Sequence, residues 1–156
     1  MAKKEREPPD FNYILNELTE EQPLKTILIG HLVVEALLVD VANIKIDKNE
    51  FDVFKLNFPR KVDLCISLGL FDNNKRQSYL KLNEIRNHFA HELNYKFTFE
   101  DTIKYINDID KAGFLLSVDI NKCEKCKNED LLIEVLNILI LELQGILYDN
   151  GKDYYL

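Results

Sequence analysis

Leu82-Asn83-Glu84-Ile85-Arg86-Asn87-His88-Phe89-Ala90-His91 decides the fold class of this chain. Leu82, Ile85 and Phe89 recur at i, i+3 and i+7, the spacing of one face of an α-helix. That stripe faces a core, so the polar residues between must face elsewhere. They are an arginine, an amide and two histidines within six residues. Arginine clamps a phosphate with a planar fork of donors, and imidazole moves protons near neutral pH. A fixed positive charge beside a titratable ring is what phosphate-ester chemistry needs.

The same period runs outward in both directions. Phe11, Ile14, Leu15 and Leu18 suggest a short amphipathic first helix. Thr19 with Glu20 and Glu21 reads as the start of a second, with Pro23 tolerated in its first turn. That helix should run to about Asn43, and it is apolar nearly all round, so it is expected to be central. Residues 47–57 read as a loop with a short turn. Pro59 opens the next helix, with Val62, Ile66 and Leu68 inward and Gly69 as its stop. Residues 71–74 form a turn, with Asn74 as the expected cap of the helix carrying the arginine and histidines, which should end near residues 92–94. Thr98-Phe99-Glu100-Asp101 resembles a capping box with Asp in place of Glu. The helix after it carries Ile103, Ile106 and Ile109, and Gly113 ends or bends it. Residues 117–127 read as loop. Asn128 then caps a last helix with Leu132, Val135, Leu136, Leu139, Leu143 and Ile146 inward. The expectation is an all-α fold, a compact antiparallel bundle of five to six helices. One domain spans residues 10–150, between a flexible tail at 1–9 and a C-terminal tail at 151–156.

Composition agrees with one domain. The chain has 156 residues, 46% of them hydrophobic, with only 5 Gly and 4 Pro, which argues against a turn-rich sandwich or barrel. No apolar run reaches the roughly 18 residues of a membrane helix. Residues 27–41 are interrupted by His31 and Glu35, and residues 131–147 by Glu134, Asn137 and Glu142, so both read as buried helices. The N-terminus is charged and lacks the apolar core of a signal peptide, and the expected location is cytoplasmic. Cys65 lies in an apolar helical pattern and reads as a core thiol. Cys123 and Cys126 have CxxC spacing without a second pair, whereas a tetrahedral zinc site needs four ligands. They read as reduced thiols in a loop, with a zinc shared across a dimer as the other possibility, and no metal is assigned.

The net charge of −7 argues against a protein that coats nucleic acid non-specifically. The charge is uneven, however. Lys75, Arg76, Lys81, Arg86 and Lys96 face only Glu84 and Glu92 across residues 75–96. This island is either an RNA-binding surface, through Lys75, Arg76, Lys81 and Lys96, or ordinary scatter on a solvated helix.

Asn87 and His91 are i and i+4 and share a face. Arg86 lies on the same turn, and its long side chain can swing toward them, so the three can converge. His88 is read as pointing away from His91 and is the weaker candidate. RNA cleavage without metal needs a proton taken from the ribose 2′-hydroxyl, charge stabilised on the phosphate and a proton returned to the 5′-oxygen. His91 suits the proton transfer, Arg86 the charge, and Asn87 can orient either. One copy offers one well-placed imidazole; two copies across a dimer axis would bring two of each into a composite cleft.

The string Arg86-Asn87-His88-Phe89-Ala90-His91 resembles the RxxxxH motif of HEPN domains (higher eukaryotes and prokaryotes nucleotide-binding), in the form with Asn after Arg. Many bacterial members are metal-independent ribonucleases of toxin–antitoxin and phage-defence systems, working as dimers with the motifs facing each other. The string is also similar to that of the mannitol operon regulator family, whose helical bundle resembles HEPN domains. There the likeness extends to Gly30-His31-Leu32-Val33-Val34-Glu35-Ala36-Leu37-Leu38 and to Phe58-Pro59-Arg60-Lys61-Val62-Asp63-Leu64-Cys65-Ile66-Ser67-Leu68-Gly69-Leu70. Together these cover roughly residues 24–115. The resemblance implies Arg86 and His91 as a catalytic pair, with Asn87 the polar residue after the arginine. It implies an RNA substrate, a homodimer, no cofactor, and an antitoxin or regulatory protein as partner. A subclass of HEPN toxins has a tyrosine two residues after the histidine, modified by a nucleotidyltransferase antitoxin. That position is Leu93 here, and the nearest tyrosine is Tyr95.

His31 and Glu35, i and i+4 on an apolar helix, are buried polar groups that need partners. Glu35 either pairs with Arg86 and holds it in place, or forms with His31 a core pair that only locks the bundle. Three functions are then open: an endoribonuclease, a non-enzymatic regulator acting by protein contacts, and an RNA or nucleotide binder that does not cleave.

Overall fold

The first helix described here begins at Pro23, the first described residue. The computed structural model describes residues 23–116 and 128–152. The expected helix around residues 11–18, the expected helix start at residues 19–21, the N-terminal tail, the C-terminal tail from residue 153, the 117–127 loop and with it Cys123 and Cys126 lie outside the described residues. Within them the elements are α1 (Pro23–Ala42), a 3-10 turn (Val53–Lys55), α2 (Phe58–Ser67), a second 3-10 turn (Asn73–Lys75), α3 (Arg76–His91), α4 (Phe99–Lys111) and α5 (Asn128–Asp149). No strand occurs among the described residues. The fold is an all-α helical bundle.

α1 is the hub and packs on α2, α3 and α5, while α4 packs on α5 and α3. Ile27, Val34 and Leu38 of α1 meet Val62 and Cys65 of α2, Leu82 and Ile85 of α3, Ile106 and Ile109 of α4, and Leu132, Val135 and Leu139 of α5 in one core. Each such side chain stabilises the fold by roughly 1.5–3 kcal/mol relative to exposure. Gly30 lets α1 and α5 approach closely, since a Cβ there would lie 2.5 Å from Leu136 Cδ1. Cys65 is fully buried with Sγ 3.5 Å from the Leu38 carbonyl, and burial pushes its thiol up to about 12. It is a core thiol.

The helix ends follow local rules, with one exception. The Asn57 side chain accepts from the Arg60 N–H at 3.0 Å and caps α2. At the other end Lys45 Nζ donates to the Leu68 carbonyl at 2.6 Å, and Gly69 takes φ +73°. Thr98 and Asp101 form the expected capping box on α4. Gly113, with φ +91°, ends that helix. The exception is Asn74. It does not cap α3, whose N-cap position is Lys75 without any side-chain hydrogen bond. Instead Asn74 Nδ2 donates to the Ala112 carbonyl at 3.3 Å and ties the start of α3 to the end of α4.

Residues Asp130–Asp149 are long and apolar enough to cross a membrane by length and composition, despite Glu134 and Glu142. Half of that stretch is buried within the protein. Leu131, Leu132, Val135 and Leu139 make it a core helix, which accounts for its apolar character.

Candidate functional site

α3 presents three different flanks. Leu82 and Ile85 enter the core. Asn83 and Arg86 lie toward α1. Asn87 is half-buried, and His91 is exposed in the last turn. The stripe thins at Phe89, which is only half-buried and packs edge-on against Tyr95 at 4.8 Å.

Arg86 Nη1 donates to Asn87 Oδ1 at 3.0 Å, so these two are brought together as expected. Arg86 forms no ion pair among the described residues, unlike Arg76, whose Nε lies 2.6 Å from Asp63 Oδ1. His91 has no hydrogen bond to Arg86 or Asn87. At about 100° per residue, the two ends of the motif stand about 140° apart around the helix. Asn87 lies between them, and a substrate group touching both must span that turn.

The three histidines occupy three environments. His31 is buried in α1, stacks on Phe58 with centroids 4.6 Å apart, and places Nε2 3.0 Å from Asn83 Oδ1. Its pKa is lowered, first by burial and then by the charges of Arg86 and Lys61, against the opposing pull of Asn83 and Glu35. The ring is therefore held neutral, with Nε2 against the Asn83 side chain and Nδ1 toward Glu35. His88 Nδ1 lies 2.8 Å from Glu92 Oε1 and Nε2 3.7 Å from Glu84 Oε1, and the ring stacks on Tyr95 at 4.8 Å. Three residues apart on a helix are neighbours, so His88 does not point away from His91. What separates them is partnership, because the carboxylates hold His88. His91 is exposed and has no partner among the described residues. It is the free imidazole of the set.

Glu35 does not pair with Arg86. Its Oε1 takes Lys61 Nζ at 2.6 Å, and its Oε2 lies 3.9 Å from His31 Nδ1. Lys61 is 2% exposed and Glu35 28%, so a buried lysine from α2 neutralises the α1 carboxylate. The reason is geometric. Phe58, Lys61, Val62 and Cys65 form the inward stripe of α2, and Lys61 is aimed at α1 by its three apolar neighbours. Charge on Glu35 is thereby consumed, and Arg86 keeps its guanidinium for something else. Asn83 and Lys61 are the residues that sequence reasoning missed. The signal for Lys61 was a lysine inside a core stripe.

The basic island is largely paired. Lys75 bonds Glu142, Arg76 bonds Asp63, and Lys81 Nζ lies 3.2 Å from Glu84 Oε1. Lys96 is exposed in the segment after α3. A groove of about 610 Å³ lies between α3 and α4, lined by Lys81, Glu84, Lys104 and Asp108 among others. It opens on the flank opposite Arg86 and includes none of Arg86, Asn87 and His91.

The arrangement offers an uncompensated guanidinium, an amide that orients it, and a solvent-accessible imidazole. The C-terminal end of a helix presents carbonyls, so an anion there gains nothing from the helix dipole. Arg86 has to supply that attraction. No family model, no curated protein and no solved structure matches this chain.

Proposed function

We propose that this chain is a HEPN-like, metal-independent endoribonuclease, a toxin or phage-defence effector that cleaves RNA through a composite site shared by two copies. One observation carries the reading: Arg86 is half-buried, bonded only to Asn87 and free of any carboxylate among the described residues. A structural arginine is normally neutralised, as Arg76 is by Asp63. An arginine left uncompensated near a free histidine is poised for an anion. His91 takes the 2′-hydroxyl proton, and Arg86 holds the phosphorane charge. The second proton transfer falls to the other copy's imidazole, because His31 and His88 are both engaged.

The test is pure protein with total RNA in EDTA, beside His91→Ala. His91 is exposed, so the variant should keep the wild-type melting temperature within about 0.5 kcal/mol of stability. Cleavage to 2′,3′-cyclic phosphate ends should fall at least about a hundredfold, the usual contribution of a general base. Equal cleavage by both proteins, or none by either, sinks the reading.

A second reading has its own observation. Lys75, Arg76 and Lys81 are neutralised within the fold, which leaves little of a broad RNA surface. A regulator similar to the mannitol operon regulator family, acting by protein contacts, needs no such surface. It predicts no RNA turnover and no effect of Arg86→Ala on RNA.

A further inference from the structure

The outward face of α1 carries apolar residues that the bundle does not cover. Ile29 is 53% exposed and Leu32 66%. Lys25, Ile29, Leu32 and Ala36 follow one another at steps of four, three and four, and Asp40 follows four later, all exposed. A 3-4 alternation is the seam of paired helices. We infer that α1 docks antiparallel on α1 of a second copy along this seam, with a two-fold axis beside Leu32.

The seam is self-complementary in that register alone. It sets Lys25 opposite the partner's Asp40 and Ile29 opposite the partner's Ala36, a large residue against a small one. Leu32 packs at the axis against the partner's Leu32. A parallel register would instead set Lys25 against the partner's Lys25, a like-charge clash. Lys25 and Asp40 have no ion pair among the described residues, so both charges are available. The seam spans about 22 Å of helix at 1.5 Å per residue. A single helix pair is at the low end of stable interfaces, which start near about 1,200 Å², so the dimer forms in a concentration-dependent way.

The axis of such a pair lies in the interface plane, across the helices. That rotation reverses helix direction but keeps each flank on its own side. α3 lies on one flank of α1, joined to it by the His31–Asn83 hydrogen bond. Both α3 helices therefore border the same side of the seam. His31 lies only about 2 Å along the helix from the axis level, and the charge of Arg86 acts on His31. Arg86 lies one helical turn past Asn83, so both copies bring their Arg86 to that shared side of the seam. The seam stands on α1 alone; its consequence for catalysis rests on the nuclease reading.

Sedimentation velocity over a dilution series of the full chain tests the seam. Wild type should dimerise. Leu32→Asp should be monomeric at every concentration with an unchanged helical circular dichroism spectrum. Lys25→Asp and Asp40→Lys should each weaken the dimer about fivefold, and together restore it. A monomeric wild type, a dimer indifferent to Leu32→Asp, or a charge pair without rescue each overturns the inference. A wild-type monomer that Leu32→Asp unfolds shows the stripe covered within its own chain, which also overturns it. RNA cleavage is scored on the same samples. A dimer that obeys these rules without cleaving keeps the seam and ends the nuclease reading; a cleaving monomer does the reverse.

Discussion

His31 is neutral in the folded chain because burial, with Arg86 and Lys61 nearby, outweighs what Asn83 and Glu35 would return to a proton. In the unfolded chain the ring titrates at its ordinary value of 6.5. Between that value and the lowered folded value the unfolded state binds more protons, so stability rises with pH. The contribution is complete above about 6.5 and is lost as pH falls through the folded value. Thermal unfolding from pH 7.5 down to 5.5 should show the melting temperature falling in wild type and falling less in His31→Gln. Glutamine offers Asn83 an amide partner and does not titrate. His88 and His91 are present in both proteins and cancel in the comparison. Equal slopes would mean that the ring is not held neutral. The candidate set at this scale was partly legible in the sequence. The spacing of Asn87 after Arg86 sufficed for their contact, since adjacent residues on one turn need no tertiary information. The partner of Glu35 was not legible, because an i, i+4 pair defines a face but not which neighbour arrives there. Lys61 does so from 26 residues away.

Two helical glycines show how the same residue type has opposite consequences in different packing. In a helix interior glycine is about 1 kcal/mol less favourable than alanine. Gly145 of α5 has nothing within 4 Å of an added Cβ, so Gly145→Ala should stabilise by about that amount. At Gly30 the added Cβ meets Leu136 at 2.5 Å, in the contact between α1 and α5. Overpacking costs roughly 1–3 kcal/mol and outweighs the propensity gain. Gly30→Ala should lower the urea midpoint while Gly145→Ala raises it. A rise in both would show that Leu136 moves aside freely. Element boundaries were the most legible part of the fold, since Thr98 with Asp101 and Gly69 act through bonds within a few residues. Asn74 was misassigned because its side chain had a choice. The α4 carbonyl of Ala112 took it, and that contact is remote in sequence.

At the scale of the whole molecule, helix period and a continuous core made the all-α bundle legible, while the exposed stripe of α1 was not. From sequence α1 reads as apolar nearly all round, and only its burial pattern separates Ile29 and Leu32 from Val34 and Leu38. The composite-site proposal has a consequence that no single chain can show. Arg86→Ala and His91→Ala should each be inactive alone. In a mixed dimer one copy retains His91 and the other Arg86, so the cleft regains one guanidinium and one imidazole, with the second proton transfer left to water. Mixing the purified variants at concentrations that allow exchange should restore part of the cleavage, always below wild type. The recovery should vanish when both variants also carry Leu32→Asp, which removes the seam and leaves the chemical groups untouched. A site built within one copy gives no recovery on mixing, because each copy then lacks one member of its own pair. Recovery that survives Leu32→Asp would keep the shared site but move the two-fold away from α1. The two positions of the axis are thus separated by one rate measurement on four proteins.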